Sequence, residues 1–325
     1  MHNANAQGVA GPSYAPTSDD RSFKARDASS YDSVVDEFDR FTQLLTSPLA
    51  RRIVALARPV SGERILDVGT GTGIVALDAA TRAGKGGRVV GIDLSEAMLK
   101  TAAVKAERAG LAGLVEFRKM DAEALSLEDS SFDVVVSLFA LLHFPNPLAA
   151  LKEMFRVLRP GGRLVVAIGS GAPLVSLNGL LHRLKRLPDM FAGFRGRQLT
   201  APEFLNGLVE KHVPETHDAE ETMLAKHGSG RAGALDPLVR GAGFEVVSSH
   251  WQGHRVGFEN PEEYWEIQRT FSSVARKRLT DGDPDKVSAL KQEFLTTCNG
   301  VQSRGGKLVY PIAAFFVVRQ RPMER

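Results

Sequence analysis

Three acids and a set of alternating glycines supply the groups with which this chain could do chemistry. Asp67 sits inside a short apolar run, Ile65-Leu66-Asp67-Val68, and Gly69, Thr70, Gly71 and Gly73 follow at once. Asp93 ends a second run, Val89 to Ile92, and Asp121, with Ala122 beside it, follows a third, Val115 to Met120. Alternating glycines let the backbone turn tightly and approach a ligand, and the helix opening near Ile74 offers free N–H groups to a carboxylate or phosphate. A carboxylate at the second strand end can accept hydrogen bonds from both ribose hydroxyls of an adenosine, and Asp121 or the Ala122 amide can meet an adenine amino edge. Such a glycine turn can also simply close an α/β connection. The acids at the following strand ends are what turn the reading toward a nucleoside ligand.

The elements that must hold these groups alternate along the chain. Apolar runs at 64–68, 88–93, 115–120, 132–137 and 163–168 read as strands, and helical spacing lies between them, as in Leu148, Leu151, Met154, Phe155 and Leu158. Alternating strands and helices predict an α/β fold, a doubly wound, mostly parallel seven-stranded sheet with helices on both faces. Ligands of such sheets bind at the carboxyl ends of the strands. Ser137 and Leu138 end the fourth strand, so five segments converge on one crevice.

As a set these segments resemble the class I S-adenosylmethionine-dependent methyltransferases, with ILDVGTGTG at 65–73, VVGIDLS at 89–95, the Asp121-Ala122 pair, FDVVVS at 132–137 and RVLRPGGRLVV at 156–166. The chain is most similar to the small-molecule enzymes of ubiquinone and menaquinone biosynthesis, whose aromatic N-terminal approach Tyr31 and Phe38 to Phe41 match. The resemblance implies S-adenosyl-L-methionine as cofactor. Asp67, Gly69, Thr70, Gly71 and Gly73 would face its methionine part, Asp93 the ribose, and Leu94, Met98, Asp121 and Ala122 the adenine, with Tyr31, Ser137 and Leu138 completing the pocket. A nicotinamide dinucleotide site is the runner-up. It wants Gly-x-Gly-x-x-Gly where this chain has Gly-x-Gly-x-Gly, and Asp67 would repel a pyrophosphate.

Composition narrows the partners. Lys and Arg number 41 against 38 Asp and Glu, a net charge of +3, which gives no argument for nucleic acid. The one cysteine, Cys298, permits no internal disulfide and suits a reducing cytosol. The apolar runs at 134–144 and 312–318 are too short to span a bilayer, and the polar start does not read as a signal peptide. A cytoplasmic enzyme with a small-molecule acceptor is expected, with no nucleic-acid partner, no integral membrane segment and room for a homodimer.

Residues 1–27, rich in Gly, Ala, Pro, Ser and Asp, read as a flexible tail. The cofactor-binding core is expected over 28–169, 232–252 and 307–321. Two insertions, 170–231 and 253–306, read as a helical cap over the substrate side. Phe194, His227, Trp251, His254 and Tyr264 are the candidate substrate contacts; each aromatic could equally fill the cap's own core, and His227 and His254, the next candidates for a base after His143, have a surface histidine as the favoured alternative. Methyl transfer needs a base only where the acceptor must lose a proton. His143, in the loop after the fourth strand, is the candidate, with a role in shaping the cofactor pocket as the equal alternative. No His or Cys cluster has metal-ligand spacing. The loop also lacks the Asn/Asp-Pro-Pro-aromatic turn of base-modifying relatives. The expected activity is methyl transfer to O, C or N of a partly apolar small molecule of cofactor or secondary metabolism. A catalytically silent, cofactor-binding regulatory subunit is the alternative from another class.

Overall fold

The computed structural model describes residues 18–169, 198–214 and 232–323. Five parallel strands form the first part of one sheet in the order β3-β2-β1-β4-β5: β1 (Arg64–Val68), β2 (Arg88–Asp93), β3 (Val115–Lys119), β4 (Phe132–Leu138) and β5 (Leu158–Gly169). Side chains alternate faces along each strand. Leu66, Val90, Val135 and Leu164 pack on α6 (Pro147–Val157) and on a later helix, Ala232–Gly241. Ile65, Val89, Val134 and Val165 pack on the opposite face against α3 (Ser47–Ala57) and α4 (Ile74–Ala83). A doubly wound, mostly parallel α/β sheet is therefore what the chain builds.

The sheet has eight strands among the described residues, one more than predicted. β6 (Gln198–Thr200) pairs parallel with the start of β8 (Lys307–Gln320), and β5 pairs antiparallel with its end. β7 (Glu245–Phe258) pairs antiparallel along nearly the whole of β8. β7 outruns the expected core span 232–252, so residues 253–258, expected in the cap, are sheet. Among the described residues, the edge of β8 that faces β5 and β6 has no strand partner over 310–313. Pro311, which has no N–H to offer a ladder, falls in that gap.

Among the described residues three helices precede β1. α1 (Ser18–Asp32), α2 (Val35–Leu45) and α3 lie over the sheet, and α5 (Glu96–Arg108) links β2 to β3. The predicted tail is thus shortened, because 18–27 form most of α1. Its polar sequence carries no apolar stripe, and ion pairs with the body hold it instead. Beyond β6 come α7 (Glu203–His212), α8 (Ala232–Gly241), α9 (Pro261–Phe271), α10 (Ser273–Asp281) and α11 (Pro284–Ser303). α9 and α10 follow one another with a single residue between them. Ser272 ends the first and caps the second, its Oγ accepting from Ala275 N–H at 3.1 Å. α7, α9, α10 and α11 share a core of their own with α2, built on Leu205, Tyr264, Trp265, Leu290 and Phe294.

Candidate active site

A cavity of about 930 Å³ opens at the carboxyl ends of β1, β2 and β4 and runs to the unpaired stretch of β8. It is larger than one nucleoside cofactor needs. Its near half is lined by Gly69, Thr70, Gly71, Asp93, Leu94, Met98, Asp121, Ala122 and Leu138, and Tyr31 and His143 stand over them. Ten of the sequence-predicted cofactor residues therefore share this wall.

The glycine turn is shaped from below. Gly69 has φ +71°, and a Cβ there would lie 2.1 Å from the Ala140 Cβ. Asp93 clamps the turn from the next strand. Its Oδ2 accepts from the Gly71 N–H at 2.9 Å, and its Oδ1 accepts from the Ser95 N–H at 3.0 Å. Burial raises the Asp93 carboxyl above its ordinary range, and those N–H groups oppose the rise. Ser95 in turn caps α5, accepting from Met98 N–H at 3.1 Å, which sets Met98 against the cavity.

Three predicted residues lie beneath the wall instead of on it. Asp67 is turned away and accepts from the Thr70 hydroxyl at 2.7 Å; burial pushes its carboxyl up to about 7. Ser137 donates to the Val68 carbonyl at 2.9 Å. Gly73 caps α4 with φ +81°, where a Cβ would meet Ala102 and Phe117 at 3.0 and 3.2 Å. All three brace the turn. The strand-end acid points where its nearest hydroxyl is, and spacing alone carries no sign of that.

Above the cofactor segment, His143 is held between two elements. Its Nε2 lies 3.3 Å from the Tyr31 hydroxyl and its Nδ1 lies 3.1 Å from Asp27 Oδ2. Both partners belong to α1. Lys277 of α10 meets the other Asp27 oxygen at 3.0 Å. The Arg276 guanidinium covers the Tyr31 ring at 3.8 Å, and burial raises the Tyr31 phenol, so it keeps its proton. Asp27, Arg276 and Lys277 were missed by sequence reading, because nothing local marks a charged residue on a polar helix as aimed inward. Lys24 of α1 ion-pairs with Asp121 and Glu123 at 2.8 and 2.7 Å. The predicted adenine contact is thus also an anchor for α1.

The far half of the cavity is lined by Trp251, His254, Phe271 and Tyr310, with Thr42 of α2 and Glu203 of α7. Phe38 stacks on Phe271 at 5.0 Å between centroids, and Phe271 meets Tyr310 edge-on at 6.3 Å. Neither His254 ring nitrogen nor the Thr42 hydroxyl has a hydrogen-bond partner among the described residues. Burial lowers the His254 imidazole below its ordinary range, which keeps it neutral. Tyr264 is a correction. It is fully buried in the helical core, its hydroxyl donating to the Leu199 and Val309 carbonyls at 3.1 and 3.0 Å, and it does not line the cavity. Phe194 and His227 lie outside the described residues.

The family model described as a methyltransferase domain matches residues 66–166, the span from β1 to β5. Nocamycin O-methyltransferase from Saccharothrix syringae is 31% identical over 294 residues, covering 90% of this chain and 95% of that protein. This chain belongs to the class I S-adenosylmethionine-dependent methyltransferases. The ubiquinone/menaquinone biosynthesis C-methyltransferase UbiE from Azotobacter vinelandii is 36% identical, over 68% of this chain and 82% of that one. Among solved structures, the [4+2]-cyclase SpnF superposes with a TM-score of 0.50 at 21% identity, over 86% of this chain and 82% of that one. That likeness speaks for the fold alone.

Membership makes the chain an S-adenosylmethionine-dependent methyltransferase of small molecules, and its near wall fits the cofactor. The turn that a Cβ at Gly69 would fill gives the backbone close approach, and the Asp93 carboxylate borders the same space. No helix among the described residues is long and apolar enough to cross a membrane.

Proposed function

We propose that this methyltransferase transfers the methyl group to a hydroxyl oxygen of a flat, partly apolar molecule held in the far half of the cavity. The observation that carries the reading is the His143 Nε2 beside a hydroxyl, that of Tyr31, at 3.3 Å in the cavity wall. An imidazole nitrogen so placed can take the proton that a phenol or enol must lose as its oxygen is methylated. Bound S-adenosylmethionine supplies an electrophilic methyl on a sulfonium.

The chain's residues do the rest. Asp93 and the glycine turn fix one end of the cofactor, Met98 and Leu94 the other. Phe271, Tyr310 and Trp251 offer ring faces to a conjugated acceptor. The Thr42 hydroxyl, buried and without a partner among the described residues, offers a hydrogen bond to an uncharged oxygen on it, and the neutral His254 ring stands beside the same space. α1 closes the top and excludes water, so that the alignment of oxygen and methyl is kept. The names of the two curated relatives divide between O- and C-methylation, and the hydroxyl-facing imidazole favours oxygen. The likeness to nocamycin O-methyltransferase supports a role in secondary metabolism.

The test is a screen of planar phenols and enols, beginning with 1,4-dihydroxynaphthalene, with products read by mass spectrometry. Methyl ethers that His143→Asn reduces by about 10²- to 10⁴-fold, with S-adenosylhomocysteine affinity kept, are expected. Carbon- or nitrogen-methylated products, or a His143→Asn variant that turns over normally, would overturn it.

A further inference from the structure

We infer that Asp27, carried by α1, is the positioning residue that fixes His143 as the tautomer with its proton on Nδ1 and a bare Nε2. The inference rests on the reading of His143 as the base and concerns how that base is prepared.

Both ends of the ring point the same way. At Nδ1, Asp27 Oδ2 lies 3.1 Å away and accepts a proton donor only. Burial works to raise the Asp27 carboxyl, but the neighbouring His143 ring and Lys277 ammonium outweigh it and hold the group well below the usual carboxylate range. At Nε2, the Tyr31 phenol stays protonated and has its hydrogen to give. A ring that donates at Nδ1 and accepts at Nε2 satisfies both neighbours; the opposite tautomer would place a lone pair against a carboxylate.

Asp27 cannot turn away, because Lys277 occupies its second oxygen at 3.0 Å. The pair also ties three elements together. α1 brings the carboxylate, α10 brings the ammonium, and the short turn Leu141–His143 brings the imidazole. The prepared base therefore exists only while α1 is docked. Docking is secured elsewhere along the same helix, where Lys24 meets Asp121 and Glu123 and Asp32 accepts from the Ser95 hydroxyl at 2.5 Å. Of these anchors Asp121 lines the cofactor wall and Ser95 follows Leu94 of that wall, so cofactor pocket and base share one cover.

Asp27→Asn makes a sharp test. Lys277 would take the single amide oxygen, leaving the amide N–H₂ facing Nδ1, and that donor forces the proton onto Nε2. The tautomer is read from ring ¹⁵N–¹H correlations of His143 in the protein loaded with S-adenosylhomocysteine, with no turnover required. Expected are a bare Nε2 in the wild type, a protonated Nε2 in Asp27→Asn, and a return of the wild-type pattern in Asp27→Asn/Lys277→Met, where the amide is free to turn its oxygen to Nδ1. S-adenosylhomocysteine affinity should stay within about threefold throughout. A wild-type ring with its proton on Nε2 would overturn the inference by itself, even if the variants do not fold. So would an unchanged tautomer in Asp27→Asn, or a more than about tenfold loss of S-adenosylhomocysteine affinity, which would make Asp27 part of the cofactor pocket. Turnover that survives His143→Asn would instead remove the base reading and leave the tautomer result standing.

Discussion

Asp93→Asn should separate cofactor recognition from folding. The carboxylate accepts from two backbone N–H groups, Gly71 at 2.9 Å and Ser95 at 3.0 Å, while it borders the cavity. An amide keeps one oxygen, so its N–H₂ must face one of those donors or the ribose. An N–H left unpaired costs roughly 1–3 kcal/mol, and a lost charge-assisted bond to a ribose hydroxyl costs about 1.5–3 kcal/mol. Part of the first cost falls equally on the free protein, so about 2–4 kcal/mol should appear in binding, a rise in Kd of about 30- to 1,000-fold. Folding should suffer less, because the change removes a carboxylate that burial already disfavours. Calorimetric titration with S-adenosylhomocysteine, beside a thermal melt of the free variant, reads the two effects apart. A folded variant whose Kd stays within about threefold of wild type would refute the placement of the ribose at Asp93.

Lys24→Met should loosen α1, since it leaves the Asp121 and Glu123 carboxylates facing each other without the ammonium that bridges them; limited proteolysis within 18–32 should quicken by about tenfold or more, and unchanged cleavage would count against the clamp. The Asp67 carboxyl, pushed up to about 7 from 3.8, holds in the folded state a proton that the unfolded chain releases, so it makes the cofactor-free protein less stable as pH rises from about 4 to 7, by up to about 4 kcal/mol. Urea titrations across that range should show the decline in wild type and a flatter profile in Asp67→Asn; equal slopes would sink the assignment. Tyr264→Phe should cost about 0.5–1.5 kcal/mol of stability by removing the hydroxyl's hydrogen bonding to the Leu199 and Val309 carbonyls, the latter keeping the Ala201 N–H. Its S-adenosylhomocysteine affinity should not change, and a specific loss of binding would return Tyr264 to the site.

The cofactor half was legible because its chemistry is local in sequence. Gly69 to Gly73, Asp93, Asp121 and Leu138 each sit at the end of a strand marked by its own apolar run, and a parallel sheet brings such ends together wherever the helices between them fall. Direction within that half was less legible. Asp67 is at the expected place and faces Thr70, because a buried carboxylate takes the nearest hydroxyl. α1 was hidden for a different reason. Its contacts are Lys24 to Asp121, Asp27 to His143 and Asp32 to Ser95, pairs some 60 to 120 positions apart in the chain that leave no periodic trace on the helix itself.

The acceptor half depends on an extension that reads as loop in sequence because Gly253, Gly257 and Pro311 interrupt it. β7 and β8 nevertheless stay paired from Glu245–Gln320 to Phe258–Leu308, well past the last β5 pairing at Gly169–Ala314. β6 takes up the β8 edge again only at Val309. Between these two pairings the edge of the sheet has no strand partner among the described residues, and there Tyr310 to Ala313 and the facing Gly253 to Arg255 line the cavity. The cap helices pack their own apolar residues on one another, with Tyr264 and Phe294 inside, and they roof this gap without filling it. On the reading proposed above, the acceptor lies along this stretch of β8. Its length along β8 is four residues, at about 3.3 Å each roughly 13 Å, and this limits a flat acceptor to about the long dimension of three fused six-membered rings. Shortening the gap tests that directly. Replacing Pro311 by Val restores an N–H and a β-branched side chain to the edge, and it should cut turnover of the largest acceptors first while S-adenosylhomocysteine affinity holds; a uniform loss across acceptors of every size would refute the gap as the determinant of length.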